Sequence, residues 1–408
     1  MRVRFYVMVL LLGLAGLALL GWAAATGGPW PERRMLPDFR TPWPQLAARF
    51  AAVRGLAALS GAALLAGAAP LGRRWAAQRP WWRPLAMATP TLLAALAGIC
   101  AAELILRVTV APAQRARSVA HEPRRLPDGY LGWTNVAGRL SYAQVSGRRV
   151  LYVFDAAGLR VDRPGAQVDP ARPTVLLAGE SFMDGYGLDW GESIAGQLQA
   201  LTGVQAADVA VEDYSVDQAF LRLRAQLGRF RRPVAVVTLF LPSTIYRTLD
   251  PTRPHLTPDL AWRPGGREWR LAHALRGALP LRSPHDVDRA VTVTRRALQE
   301  TARLAQARGA RPLVVIPVLA PEPAVEARLR RRVLDGAGTR YLVVPLAASE
   351  LQPGNRHPNA AGARKLAASI AAALAAEAAP GGLDWAPPGQ PDPSPTSGAR
   401  THRPRPRP

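Results

Sequence analysis

Cysteine and lysine are almost absent from this sequence of 408 residues, which contains one of each, Cys100 and Lys365. A single thiol forms no disulfide within the chain and cannot build a metal site from several thiolates. No Gly-x-Gly-x-x-Gly or Walker pattern follows the first strand of the predicted sheet to hold a nucleotide. We therefore expect neither a metal nor a cofactor.

Negative charge is also scarce, because the sequence has 29 acidic residues and 52 arginines and lysines, which gives a net charge of +23. The arginines neither cluster on one predicted helix nor alternate with aromatic residues, and no nucleic-acid-binding motif is present. We expect no nucleic-acid partner, and interpret the arginines as solvated residues and as flanks of membrane spans. A hydrophobic fraction of 49% is enough for a large core and excludes disorder of the whole chain.

Long apolar runs occupy residues 1–112, which we interpret as a membrane region. The run 5–25 carries no charge and the run 85–105 carries only Glu103, so both are long enough to cross a bilayer as helices. The run 55–71 is shorter and is either a third span or a packed amphipathic helix. A cleavable signal peptide is the alternative for the first run, which has a basic start and ends in small residues.

Arginines in the short loops predict the orientation of these spans. Those at the start of the chain and those between the second and third runs should be cytoplasmic, which places the residues after about 120 in the periplasm. Arg33, Arg34 and Arg40 in the first loop oppose this orientation. The alanine-rich, arginine-rich composition is typical of a GC-rich bacterial genome. We therefore predict a multi-pass protein of a bacterial inner membrane, with the lipid bilayer as a partner.

Strand and helix patterns fill the rest of the chain. Residues 113–172 hold a linker and a predicted hairpin, 140–145 and 149–154, as a small leading subdomain. In 173–378, continuously apolar strands alternate with helical patterns, which predicts a doubly wound α/β fold with a parallel sheet. The strands are expected at 174–178, 207–211, 234–241, 313–319 and 341–346, and the helices at 193–201, 217–230, 287–308, 323–334 and 359–378.

Two further segments lack this alternation. Residues 242–286 are rich in proline, tryptophan and arginine, and are too long for an ordinary connection, so we interpret them as a lid or substrate-side insertion. Residues 379–408 are rich in proline, glycine, serine and arginine, which predicts a disordered tail.

Ser181 follows directly on the first strand of the predicted sheet. Open α/β sheets form their sites at the carboxyl ends of strands, so a nucleophile there lies at a cleft; the alternative is a serine that caps the next helix or turn. His357 follows the last strand. A serine nucleophile needs a base within hydrogen-bond reach, and the fold can bring that base from any part of the chain.

The residues around this pair resemble the SGNH, or GDSL-type, hydrolases. Residues 179–187, Gly-Glu-Ser-Phe-Met-Asp-Gly-Tyr-Gly, look like the opening Gly-Asp-Ser block of that family. Residues 355–362, Asn-Arg-His-Pro-Asn-Ala-Ala-Gly, look like its closing Asp-x-His-Pro-Asn block. The segment 129–133 and its Gly-Leu-Arg continuation at 158–160 are similar to the segment that precedes the domain in membrane-anchored members.

This resemblance covers roughly 129–374 and implies a flavodoxin-like three-layer sandwich with serine esterase or acyl-transfer activity. It implies that Ser181 attacks an acyl carbonyl and that His357 takes the proton. The backbone N–H groups of Ser181 and Ala210 would then bind the oxyanion.

The chain departs from the family at several places. Asn355 stands where the family has the acid that orients the histidine, which leaves a Ser-His dyad or a weakened triad. Pro242 or Ser243 stands where the family has an oxyanion asparagine. Three extra carboxylates could oppose an oxyanion or restore the missing acid, namely Asp208, Glu212 and Asp213.

Two hypotheses of function follow. The first is a membrane-anchored esterase or acyltransferase that acts on acyl esters of periplasmic glycans, lipids or envelope polymers. The second is a catalytically degenerate domain that binds carbohydrate or forms a complex.

Overall fold

The computed structural model describes residues 2–28, 30–39, 41–78, 98, 100–101, 103–104, 124–269, 271–272 and 282–376. The predicted tail and most of the predicted run 85–105 lie outside these residues. The helices are α1 (Arg2–Ala25), α2 (Trp30–Arg34), α3 (Trp43–Gln78), α4 (Ile194–Thr202), α5 (Val216–Leu227), α6 (Pro284–Ala307), α7 (Ala324–Leu334) and α8 (Ala360–Ala375). The strands are β1 (Arg125–Asp128), β2 (Gly132–Asn135), β3 (Leu140–Val145), β4 (Arg148–Phe154), β5 (Arg160–Val161), β6 (Pro173–Ala178), β7 (Gln205–Asp208), β8 (Arg232–Leu239), β9 (His255–Leu256), β10 (Trp262–Arg263), β11 (Arg311–Leu319) and β12 (Tyr341–Leu346).

Helices α1 and α3 pack against each other through small residues. A Cβ atom added at Gly16 would lie 2.8 Å from the carbonyl oxygen of Gly61 on the facing helix, so only glycine allows this approach. Arg54, the charge at the edge of the predicted second run, donates from Nε to the carbonyl oxygen of Ala23 at 3.1 Å. The helix includes Arg54 and begins at Trp43, whereas the predicted run begins at Gly55.

The described residues do not contain the expected three or so membrane spans. Within them, one helical stretch, Trp43–Gly67, is long and apolar enough to cross a membrane, with a mean hydropathy of 1.6. The apolar stretch Leu12–Ala25 in α1 is shorter. Most of the third predicted run, 85–105, lies outside the described residues.

Eight strands form one mixed sheet in the order β12-β11-β8-β6-β7-β5-β4-β3. The first five in this order are parallel to one another, which confirms the predicted parallel sheet. The hairpin of β3 and β4 continues the same sheet through β5, which pairs antiparallel with β7. The hairpin that the sequence assigned to a leading subdomain is therefore the outer end of this sheet.

Alternate residues of β11 enter two hydrophobic clusters. Val314 and Ile316 pack with residues of α5, α6 and α7 on one face. Leu313 and Val315 pack with residues of α4 and α8 on the other. Side chains of a strand point alternately to the two faces, so helices cover the sheet on both sides, as its continuously apolar strands predict.

Candidate active site

Ser181 lies immediately after β6, in a loop whose backbone is held by neighbouring side chains. Arg160 of β5, which is fully buried, donates to the carbonyl oxygens of Asp184, Gly185 (3.0 Å) and Leu188 (2.5 Å). The Tyr152 hydroxyl of β4 accepts from the N–H of Gly187 at 2.8 Å. The leading strands therefore do more than extend the sheet, because they fix the loop that carries the serine.

His357 lies in a second loop that is closed by its own backbone. The N–H of Gln352 donates to the carbonyl oxygen of His357 at 2.8 Å, and the Gln352 side chain donates to the carbonyls of Tyr186 (2.5 Å) and Pro358 (2.9 Å). Asn359 caps α8 by accepting from the N–H groups of Ala361 and Gly362. Gln352 thus joins the histidine loop to the serine loop.

The two loops bring the predicted serine and histidine together. Ser181 Oγ lies 2.8 Å from His357 Nε2, within hydrogen-bond reach. Asn355 Oδ1 accepts from the His357 N–H at 2.8 Å and lies 3.3 Å from His357 Nδ1. An amide oxygen beside Nδ1 favours the tautomer with hydrogen on Nδ1, which leaves Nε2 free to accept the serine proton.

Asn355 also stabilises the turn in which it lies. Its Nδ2 donates to Ser146 Oγ at 2.8 Å and to Gln352 Oε1 at 3.0 Å. The residue therefore has two positions to fill: it stands beside the histidine ring as the triad acid would, and it is a structural asparagine in a tight turn.

A carboxylate from the residue before the serine touches the serine hydroxyl. Glu180 Oε2 accepts a hydrogen bond from Ser181 Oγ, and Glu180 Oε1 accepts from the Phe182 N–H at 3.1 Å. Arg247, in the 3-10 helix Pro242–Leu249, lies 3.6 Å from the same Oε2. The serine oxygen thus contacts the His357 imidazole on one side and the Glu180 carboxyl group on the other.

Two of the extra carboxylates reach the cleft, and both are paired with arginine. Glu212 lies 2.7 Å from Arg124, and Asp213 lies 3.2 Å from Arg247. These ion pairs offset the negative charge that would otherwise oppose an oxyanion.

Asp208 and Ala210 do not line the cleft. Both are buried below it, and the Ala210 N–H donates to Asp208 Oδ1 at 3.0 Å. The Ala210 N–H, expected to bind the oxyanion, therefore has an internal partner in this structure. β7 ends at Asp208, three residues before the predicted strand end, although the N–H of Val209 still donates to the carbonyl oxygen of Leu177 in β6 at 2.9 Å. Burial raises the pKa of Asp208, and the neighbouring Asp184 raises it further.

The cleft is about 560 Å³ in volume, and one of its walls comes from the loop between α2 and α3. Phe39 packs edge-on against His357 with 5.1 Å between ring centroids, and Tyr186 lies 4.5 Å from the same ring. Arg356 Nη1 donates to the Phe39 carbonyl oxygen at 2.9 Å. Residues far apart in sequence therefore enclose the histidine in aromatic side chains.

This enclosure changes the acidity of the imidazole. Burial lowers the pKa of His357, while the negative charges of Glu180 and Glu212 raise it and the positive charge of Arg247 lowers it. The net direction is downward. His357 is therefore the neutral base at neutral pH.

The structure is similar to solved esterases and lipolytic proteins, whereas no protein-family model and no curated protein matches the sequence. A protein assigned to the G-D-S-L lipolytic family of Desulfitobacterium hafniense is 11% identical, with 49% of this chain and 98% of that chain covered and a TM-score of 0.33. A G-D-S-L family member from Veillonella parvula is 13% identical, with 48% and 95% covered and a TM-score of 0.30. An acetyl xylan esterase from Butyrivibrio proteoclasticus is 13% identical, with 51% and 65% covered and a TM-score of 0.31. At these levels the likeness carries no argument about function, which rests on the site.

Three contributors to the site were missed from the sequence. The sequence gives a signal for the role of Glu180. It stands where the Gly-Asp-Ser block of SGNH hydrolases has an aspartate, and its side chain, one methylene longer, reaches the serine. Arg247 has a weak signal, since it falls at the start of the presumed insertion. Phe39 has none, because it precedes the catalytic segment by more than a hundred residues.

Proposed function

We propose that the chain is a membrane-anchored serine esterase or acyltransferase. The contact of Ser181 Oγ with His357 Nε2 at 2.8 Å, in a cleft open to a substrate, carries this proposal. The resemblance of the two sequence blocks to SGNH hydrolases supports it, since these blocks supply both members of the pair.

The residues perform the acyl-transfer step as follows. As Ser181 Oγ bonds to the acyl carbon, its proton passes to His357 Nε2 and the carbonyl electrons move to the oxygen. The imidazolium then protonates the leaving alkoxide, and an acyl-serine forms. Water or an acceptor hydroxyl, deprotonated by His357, then attacks the acyl carbon, and the imidazolium returns the proton to Ser181 Oγ as the bond between Oγ and the acyl carbon breaks. The Ser181 N–H and the positive charge of Arg247 stabilise the oxyanion.

The proposed substrates are acyl esters of glycans, lipids or envelope polymers at the periplasmic face of a bacterial inner membrane. Two contacts of the loop between α1 and α3 support a substrate close to the bilayer. Phe39 forms part of the cleft wall, and Glu32 pairs with Arg328 of α7 at 3.3 Å. The cleft therefore adjoins the ends of the two apolar helices. Arg33 and Arg34, two of the arginines that oppose the predicted orientation, lie in α2 beside Glu32, which forms this ion pair.

A specific observation favours a second candidate, a degenerate binding domain. The Ala210 N–H is bonded to Asp208, and no side-chain amide follows β8 at the place of the oxyanion asparagine. A cleft that lacks these donors binds an ester without accelerating its hydrolysis.

One labelling experiment separates the two candidates and tests the orientation. A membrane-impermeant fluorophosphonate probe is added to spheroplasts that contain the full chain, with Ser181→Ala as control. We expect labelling of the wild type alone, because only an activated serine on the outer face reacts. Labelling only after the membrane is permeabilised would reverse the orientation, and no labelling in either case would exclude the esterase in favour of the binding domain.

A further inference from the structure

Ser181 has one hydroxyl proton and two neighbours that can accept it. His357 Nε2 lies 2.8 Å from Oγ, and Glu180 Oε2 accepts a hydrogen bond from the same atom. A hydroxyl donates once, so the carboxylate and the imidazole share one proton through the serine. The Glu180 carboxylate is thus linked to the His357 ring through the serine hydroxyl, and this ring becomes positive when it accepts the serine proton.

Among the residues that the structure describes, no carboxylate lies at hydrogen-bond distance from His357 Nδ1. Asn355 Oδ1, 3.3 Å from Nδ1, orients the ring but is neutral, so it does little to stabilise an imidazolium. The charged groups that act on His357 from the elements around it are Glu180, Glu212, Asp213 and Arg247. Glu212 pairs with Arg124 and Asp213 pairs with Arg247, and neither of these two carboxylates contacts Ser181 or His357 by a hydrogen bond in the described part of the chain.

We propose that Glu180 supplies the negative charge of the missing triad acid, from the serine side of the imidazole, while Asn355 keeps only the orienting role. This inference rests on the proposed function and names a further catalytic residue for it. When the serine proton moves to Nε2, the imidazolium and the Glu180 carboxylate form an ion pair in a buried site, where such a pair is stronger than in water. Arg247, 3.6 Å from Oε2, keeps the carboxylate in place.

The test is a set of variants of the full chain in lipid nanodiscs, assayed with p-nitrophenyl acetate from pH 4.5 to 8. Glu180→Gln keeps the shape and removes the charge. We expect kcat/KM to fall by about 10- to 100-fold, and its acidic limb to move to lower pH because the imidazolium loses a stabilising charge. Glu180→Asp keeps the charge, so the acidic limb of its kcat/KM profile should stay at the wild-type pH.

Asn355→Asp provides the decisive comparison. It should raise kcat/KM more in the Glu180→Gln background than in the wild type, since a second carboxylate replaces the first only where the first is missing. An unchanged acidic limb in Glu180→Gln, or an equal gain from Asn355→Asp in both backgrounds, would overturn the proposal while the esterase stands. A wild type that neither hydrolyses the ester nor reacts with the fluorophosphonate overturns both. Thermal melting verifies that each variant is folded.

Discussion

At the scale of single residues, the acid of a catalytic triad has two tasks, because it orients the imidazole and stabilises its positive charge. In this site the residue beside the ring is suited to the first task only. Asn355 Oδ1 holds the imidazole tautomer and the backbone of the turn at the same time. The positive charge that develops on the ring must be balanced elsewhere, and the cleft places carboxylates on other sides of it. Where this charge is balanced determines how the enzyme responds to pH.

The activity of the wild type should persist to a lower pH than that of an enzyme with a free histidine base. Burial lowers the pKa of His357 below its ordinary 6.5, and the neutral form is the one that accepts the serine proton. Activity is therefore lost as pH falls through this lowered pKa, and the acidic limb of kcat/KM should lie below pH 6.5. A pH profile of ester hydrolysis measures it. A limb at or above this value would contradict the enclosure of the ring, and Asn355→Asp should move the limb upward.

At the scale of elements, the serine loop depends on close contact with the histidine loop. Gly187 has a φ of 77°, in the region that favours glycine, and a Cβ atom there would lie 2.4 Å from Gln352 Oε1. Gln352 in turn donates to the carbonyl oxygens of Tyr186 and Pro358. A change at this glycine therefore reaches both members of the catalytic pair.

Gly187→Ala should lower both stability and activity. The strained backbone costs about 1–3 kcal/mol, and the displaced Gln352 should separate the two loops and reduce kcat/KM by about 10-fold or more. Gly191→Ala is the matched control, because a Cβ atom there meets nothing within 4 Å. Melting temperature and ester hydrolysis are measured for both variants. Equal effects at the two glycines would refute the coupling of the loops.

The elements themselves are largely predictable from the sequence. The apolar runs predict β8, β11 and β12 to within two residues at each end, because strands buried on both faces carry a continuous signal. β7 is displaced from its prediction, since it occupies Gln205–Asp208 instead of 207–211 and its first residue is a polar glutamine that the apolar run does not include. The 3-10 helix that carries Arg247 is missed for a similar reason: its residues are buried by tertiary packing in a segment whose pattern has no period.

At the scale of the whole molecule, one wall of the cleft comes from the segment that joins α2 to α3, far from Ser181 and His357 in sequence. Phe39 closes one side of the cleft, and the next buried cluster along this segment, which contains Phe50, packs between Trp22 and Trp30. A fragment that begins after the linker would contain the catalytic pair without this wall. Such long-range contacts leave no local signal, which is why the site's wall could not be predicted.

Phe39→Ala should impair catalysis beyond its effect on stability. Loss of the ring opens the site around His357 to water and should lower kcat/KM by about 10-fold or more, with an acidic limb closer to that of a solvated histidine. Phe50→Ala removes an equally buried ring that does not line the cleft, so it should reduce the melting temperature and leave the pH profile unchanged. Both are compared as full chains in nanodiscs. Identical pH profiles in the two variants would rule out a catalytic role for the wall.

The hydrogen bond between Arg356 and the Phe39 carbonyl joins residues 317 positions apart. A ribosome adds about 5–20 residues per second, so Phe39 is synthesised roughly 15–60 s before its partner. Ser181 is synthesised within that interval, but its proposed base, His357, follows only 176 residues later. The proposed activity therefore requires that the last part of the domain to be synthesised folds back onto one of the first, and the closure of so long a loop carries an entropic cost.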